Sequence, residues 1–390
     1  MRNKKKNRKR RNLYIGLLLA FLITGQAPAS RALEVQTAKA QEAEATSQPA
    51  AGTAEEPAHE DTKKGFDAGK FVIDHVSDAY EWHLATIGQR HLSVPLPVIL
   101  YSKNSGWHFF LSSRFHHGTK SWKGFKPEEE GPHAGKIVER NAAGEITGLP
   151  VDLSITKTVA GIFVSVILLI VLFVSIARSI RHNRGRAPTG LQNAFEPIIL
   201  FVRDEVAVPA IGSAEKAEKY LPFLLTLFFF ILISNLTGLI PVFPFGANVT
   251  GNIGVTLVLA LFTFLMTTFS GNRHYWKEIF NPDVPTWLKL PLPLMPIIEL
   301  TGMFTKPFVL MVRLFANMMA GHMIISVFVS LIFIFSSLMG AAAGAGVSVV
   351  SVLFSVFITL LDVLVSFIQA YVFTLLSALY FGMAIQEKHH

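Results

Sequence analysis

Cysteine is absent from all 390 residues, so neither a disulfide framework nor thiol chemistry operates in this chain. Charge is scarce: Asp, Glu, Lys and Arg together make up 16% of the residues, against a hydrophobic share of 51%. That balance is too apolar for an ordinary soluble enzyme of this length and fits long segments that face lipid. No G-x-x-x-x-G-K-[ST] occurs, so the phosphate cradle of a nucleotide-hydrolysing site is missing and any ATP chemistry belongs to other chains. Basic stripes interleaved with aromatics are missing as well, which argues against nucleic-acid binding. The formal charge of +8 does not change this, because eight basic residues fall within the first eleven positions and the rest scatter through loops. Eight of the 13 histidines lie between His59 and His133, but their spacing matches no metal-ligand pattern. Neither a metal nor a cofactor is expected.

What is present divides the chain into four parts. A basic stretch and an apolar run from Leu13 to Ile23 are followed by small residues at Ala27, Ala29 and Ala32. A run that short cannot span a bilayer and reads as a cleaved secretory signal over residues 1–32, with an uncleaved anchor as the alternative. Residues 33–65 are rich in Ala, Glu, Thr, Gln and Pro and read as a disordered tether. Residues 66–150 are mixed and aromatic. There "PLPVILYSKNSGWHFFLSSRF" predicts two strands about a Lys-Asn-Ser-Gly turn, and "GKIVERNAAGEITGLPVDLSI" a second hairpin turning at Ala-Gly-Glu. A small β-containing exported domain is expected, near the size at which a core is marginal alone.

Residues 151–386 read as the membrane part, all-α and polytopic. "VAGIFVSVILLIVLFVSIA" is a span, and the Arg cluster of "RSIRHNRGR" behind it marks the cytoplasmic side. "LQNAFEPIILFVRDEVAVPAIG", with Glu196, Arg203, Asp204 and Glu205 among apolar residues, fits an interfacial amphipathic helix. Two further spans form a hairpin over 220–269. Two long apolar tracts follow, Pro293 to Met339 and Val347 to Ile385, separated by "GAAAGAG". As single helices they would be about 70 Å and 58 Å long, against a hydrocarbon core of about 30 Å. The expectation is five transmembrane helices, the last two long, tilted and packed on a partner.

Polar groups on these tracts carry the chemistry. Arg313 lies too deep to snorkel to the interface and stays protonated, so it must face protein, water or a counter-charge. At about 100° per residue, Glu299, Arg313 and Asn317 fall on one face, whereas His322 falls on the opposite one. Asp362 and Gln369, seven residues apart, share a face of the second tract. His322 with Asp362 would make a proton-relay couple, because imidazole titrates near neutral pH and a carboxylate tunes it. The plainer readings are a salt bridge from Arg313 to Glu299 or Asp362, a backbone hydrogen bond for His322 and an interhelical one for Gln369. An anion transporter and a non-transporting scaffold are alternatives for the whole chain. No internal repeat of the transporter kind is present.

"ELTGMFTKPFVLMVRLFANMMAGHMII" followed by "LDVLVSFIQAYVFTLLSALYF" resembles subunit a of the F-type ATP synthase membrane sector. The resemblance covers about residues 150 to 386 and includes "PTGLQNAFEPIILFV" and "SNLTGLIP". It implies a stator subunit beside a rotating ring of c subunits, with b subunits of the peripheral stalk as neighbours and the catalytic head as an indirect partner. Arg313 matches the arginine that faces the ring carboxylates, and Asn317, Gln369 and Glu299 match the family's asparagine, glutamine and cytoplasmic-side acid. His322 and Asp362 occupy two positions where an imidazole and a carboxylate occur in either order. Gly238 stands where some members carry an acid. Protons would pass His322 and Asp362 to the ring and leave near Glu299. Arg313 would favour the ionised ring carboxylate and block a direct leak. The implied location is a bacterial inner membrane, with the N-terminal domain periplasmic and the C-terminus cytoplasmic. Whether H⁺ or Na⁺ is carried depends mainly on the ring.

Overall fold

The computed structural model describes residues 77–386, together with Gly69 and Val72, apart from 88–89, 104, 117, 119, 129–132, 134, 142–144, 183–186 and 281–293. The expected signal and tether, 1–32 and 33–65, lie outside the described residues.

The first described region is β-structured. β1 (Glu81–Ile87) and β2 (Arg90–Pro95) pair antiparallel. β3 (Pro97–Ser102) and β4 (Gly106–Leu111) form the hairpin that the sequence implies, and β8 (Val151–Asp152) adds to the free edge of β3. β5 (Phe125–Pro127), β6 (Ile137–Arg140) and β7 (Ile146–Gly148) make a third small sheet, in which β6 and β7 are the second expected hairpin. Alternation along β3 turns Val98 and Leu100 inward onto Phe115, Phe125 and Ile137, which form one buried cluster. Ser102 Oγ donates to Glu139 Oε2 at 2.7 Å, tying the second sheet to the third.

Helices follow without an intervening linker. They are α1 (Lys157–His182), α2 (Leu191–Phe201), a π-helical stretch (Val202–Ala207) leading into the short α3 (Val208–Ile211), α4 (Ala214–Gly238), α5 (Ile253–Ser270), α6 (Arg273–Phe280), α7 (Leu294–Met339) and α8 (Ala341–Ile385). Five of these, α1, α4, α5, α7 and α8, are long and apolar enough to cross a membrane. Local chemistry sets several boundaries. Ser213 Oγ and Asn252 Oδ1 accept from backbone N–H groups at the starts of α4 and α5. Gly212, at φ +78°, ends α3 in the left-handed conformation that glycine adopts cheaply.

One expectation needs correcting. "GAAAGAG" does not separate the long tracts as a linker, because only Gly340, at φ +88°, interrupts the helix and α8 already begins at Ala341. Alanine is the strongest helix former, and it carries the two later glycines of that stretch into the helix.

The described residues fall into two compact units, one holding residues 78–319 with 361–386 and the other holding residues 320–360. In the first, the π-helical stretch and α3 bury Val206, Ala207 and Ile211 against Ala217, Tyr220 and Leu224 of α4 and Ala378 and Phe381 of α8. Gly382 makes this packing possible: a Cβ there would lie 2.1 Å from the Ala210 carbonyl oxygen. In the second unit the two helices flanking Gly340 meet through Phe328 and Phe354, stacked at 5.5 Å, and through Gly344 against Ser336.

Candidate functional site

On α7 the buried residues Leu310, Met311, Leu314 and Met318 recur at helical spacing and define the side packed on the protein. Arg313 and Asn317, one turn apart, are exposed on the other side. Ala316 and Ala320, also exposed, flank them. Small residues of this kind let another helix approach closely. Among the described residues Arg313 has no carboxylate within ion-pair distance, so the salt bridge to Glu299 or Asp362 is not made.

α8 presents the opposite arrangement. Asp362, Ser366 and Gln369 are all buried, on one inward face, as their spacing implies. Ser366 Oγ donates to the Asp362 backbone carbonyl at 2.7 Å. Asp362 Oδ2 is buried without a hydrogen-bond partner among the described residues. Tyr220 stacks on Phe381 at 5.1 Å and Phe228 meets Phe367 edge-on at 5.7 Å, so α4 and α8 run antiparallel. Following both helices onward from the Phe228–Phe367 contact at about 1.5 Å per residue places Asp362 near the level of Ser234 and Asn235 on α4. Ser234 Oγ and Asn235 Nδ2 are likewise buried without partners among the described residues, while Asn235 Oδ1 accepts from Thr250. Orphaned polar atoms at one depth call for water or a titrating partner. Ser234 and Asn235 were not singled out from the sequence, although "SNLTGLIP" is where a signal existed: adjacent polar residues inside an apolar span.

Toward the other end, α5, α6, α7 and α8 enclose a cleft of about 20 Å³, enough for a water molecule. Thr263, Thr267, Tyr275, Lys306 and Tyr380 give it a polar lining. Lys306 Nζ lies 5.7 Å from the Tyr380 ring centroid, and Thr263 Oγ1 is 3.4 Å from Ser377 Oγ. Along α7 the cleft falls between Glu299 and Arg313, with Glu299 one turn before its Met303 wall. Tyr275, in its lining, feels the Glu299 charge. Tyr275, on the short α6, has its phenol pushed up, first by burial and then by the Glu299 carboxylate. Lys306, Tyr275 and Tyr380 were also missed. Lys306 had a signal, being a second cation two turns before Arg313.

His322 belongs to the unit of residues 320–360, where it is half-buried and its backbone carbonyl accepts from Ser326 Oγ at 2.9 Å. Apart from His322, the site residues form three groups: Arg313 with Asn317 facing outward, Asp362 with Gln369 facing inward, and Glu299 beside the polar cleft.

The profile of the ATP synthase A chain family matches residues 159–382, more than half of the sequence. The chain belongs to that family. All six site residues lie inside the matched stretch. Among relatives, ATP synthase subunit a 2 of Chlorobaculum tepidum is 45% identical over 246 residues, covering 62% of this chain and 65% of that one. ATP synthase subunit a of Chloroherpeton thalassium is 42% identical over 61% of this chain and 69% of its own. The Myxococcus xanthus protein of the same name is 42% identical over 68% of this chain and 84% of its own. A second profile, described as a domain of unknown function (DUF8433), matches residues 71–153. The chain is thus a multi-pass membrane member of the ATP synthase a-subunit family, and the preceding β region carries a separate family signature.

Proposed function

We propose that the chain is the stator of a rotary ATP synthase, forming two proton half-channels beside a ring of carboxylate-bearing subunits and coupling proton flow to ring rotation. One observation carries this reading: a permanent cation is exposed on the outward side of a membrane-spanning helix, with no counter-charge among the described residues. A guanidinium left in hydrocarbon is costly, so an anionic protein surface must cover it. Ring carboxylates meet that need and leave it again as the ring turns. Near Arg313 the ionised carboxylate is favoured and its proton departs. Asn317, on the same face, solvates the ionised group.

In this reading protons reach the ring from outside past His322, Asp362 and the polar atoms of Ser234 and Asn235. They leave through the cleft of Tyr275, Lys306 and Tyr380 toward Glu299. Gln369 orders the inward face of α8 beside the path. Arg313 separates the two half-channels, since a fixed cation repels a proton passing directly between them.

The topology completes the proposal. Residues 1–32 are a signal peptide, 33–65 a tether, 66–150 a periplasmic domain and 151–386 the membrane domain of a bacterial inner-membrane protein. Its C-terminus is cytoplasmic. The stretch 191–211 lies in the interface, and α7 and α8 are tilted against the ring. Peripheral-stalk b subunits are the other direct neighbours, and the catalytic head is reached through them.

A cross-linking test is direct because the chain holds no cysteine. Ala316→Cys, on the Arg313 face, should form a disulfide with a cysteine placed near the ring carboxylate. The purified complex should contain ring, stalk and head subunits. Recovery of the chain alone, with transport of a labelled anion, would overturn the reading.

A further inference from the structure

The exported β region exposes a face that its fold does not explain. In the β4-β3-β8 sheet the outward positions of β3 and β4 pair as Ile99 with Phe109 and Tyr101 with Trp107, and Val151 of β8 lies beside Tyr101. Trp107, Phe109 and Val151 are 56%, 67% and 56% exposed. Trp107 stacks on Phe109 at 6.0 Å and tilts against Tyr101 at 5.1 Å, so the surface is one continuous aromatic layer. The opposite face of the same sheet already forms the buried core with Val98 and Leu100. An antiparallel sheet with one wet side alternates apolar inward and polar outward. Here both sides are apolar, and no outward position on β3, β4 or β8 bears a charge. Two six-residue strands and the two-residue β8 give this face an area of about 200 Å². What sets the face apart is its composition rather than its area: the polar alternation expected of a wet sheet face is missing.

Position decides what covers it. No linker separates the sheet from the first span. Leu153 N–H donates to Ile99 O at 2.9 Å, Ile155 to Pro97 O at 3.0 Å and Lys157, the first residue of α1, to Ala79 O at 2.9 Å. Asp78 Oδ1 then accepts from Thr158 N–H at 3.0 Å. Counting about 20 residues of hydrocarbon-spanning helix back from Arg178 puts Lys157 at headgroup level. A second attachment holds the region down: Trp82 packs edge-on against Phe243 at 5.5 Å, in the loop between α4 and α5. That loop exposes Ile240, Val242 and Phe243 at the same end of the membrane helices. It also packs on α1, through Ala247 and Val249 against Gly161. The uncharged aromatic face therefore belongs to a region pinned at the headgroup end of α1 and to the loop between α4 and α5. Tyr and Trp are the residues that favour the water–lipid boundary.

We propose that the Ile99–Tyr101–Trp107–Phe109–Val151 face lies against the outer headgroup and acyl boundary of the bilayer. It makes the β region an interfacial foot that braces the outer ends of the membrane helices. This inference needs only the membrane topology and does not depend on the proton path.

The test uses the full chain in its complete complex, in nanodiscs of phosphatidylcholine and phosphatidylglycerol. Nitroxides are placed at Phe109→Cys and, away from the face, at Lys120→Cys. The Phe109→Cys label should be more accessible to oxygen than to a water-soluble nickel chelate, and a fluorophore at the same site should be quenched by brominated lipid. Lys120→Cys should show the reverse in both. Greater nickel than oxygen access at Phe109→Cys would overturn the proposal. So would a label shielded from both reagents that cross-links to another subunit, which would identify a protein as the occupant.

Discussion

Arg313 and Leu314 are neighbours on α7 in opposite environments: the arginine is exposed, while the leucine is 1% exposed. The helix thus offers its cation outward and holds itself in place by the apolar side behind it. The two residues should respond to substitution in opposite ways. Leu314→Ala should cost about 2–5 kcal/mol of stability, the transfer and cavity terms of a buried leucine. Arg313→Ala should leave the thermal unfolding of the purified chain nearly unchanged. If Arg313→Ala proved as damaging as Leu314→Ala, the arginine would be structural and the scaffold reading would regain ground.

Gly382 has a similarly sharp consequence. With the Ala210 carbonyl occupying the space a Cβ would need, Gly382→Ala must push α8 away from the segment ending in α3. Overpacking of this kind costs about 1–3 kcal/mol. A lowered unfolding temperature should accompany faster proteolysis between residues 203 and 213. Gly346→Ala, which meets nothing within 4 Å, is the control and should do neither.

Tyr275 supplies a pH prediction. Its phenol is raised from the ordinary value of 10.0, by burial first and by the Glu299 charge second. Above about pH 10 the unfolded chain gives up this proton while the folded chain keeps it, so stability falls as pH rises through that range. In ¹³C spectra of tyrosine labelled at Cζ, with Tyr275→Phe identifying the signal, ionisation should begin above that of free tyrosine. Glu299→Gln should bring it only part of the way back, because burial remains. Full return to the ordinary value would make Glu299 the main cause and contradict the ordering.

The helices were the most legible part of the sequence, because apolar runs of 18 residues and more have few other uses. Arg313 and Asn317 on one face and Asp362 with Gln369 on another followed from the helical repeat alone. What the repeat could not give was which face looks outward. That depends on packing from α4 and on residues such as Leu310 and Met318, whose apolar character is shared by every lipid-facing neighbour. The polar cleft escaped for the same reason: Thr263, Tyr275, Lys306 and Tyr380 come from four helices and meet only in space. In the β region the two tight hairpins were readable from their turns. The pairing of β8 with β3, in which Val151 meets Tyr101 from 50 residues away, had no local signal.

Trp82 tests whether the β region is held at the membrane surface. Edge-on aromatic pairs contribute about 0.5–1.5 kcal/mol beyond their buried area. Trp82→Ala should therefore loosen the region from the loop between α4 and α5 and raise amide exchange around residues 240–252. The membrane helices should keep their protection. Unchanged exchange in that loop would show that the Trp82–Phe243 contact carries no load.

The central claim is that the exposed charge of Arg313 makes ion flow obligatory for rotation. Its most direct test is ATP synthesis by the complete complex carrying Arg313→Ala, reconstituted in vesicles under an imposed proton gradient, with subunit content checked in the same preparation. The account predicts an assembled complex with no gradient-driven synthesis and an added passive proton leak. Normal synthesis in the assembled variant would contradict it.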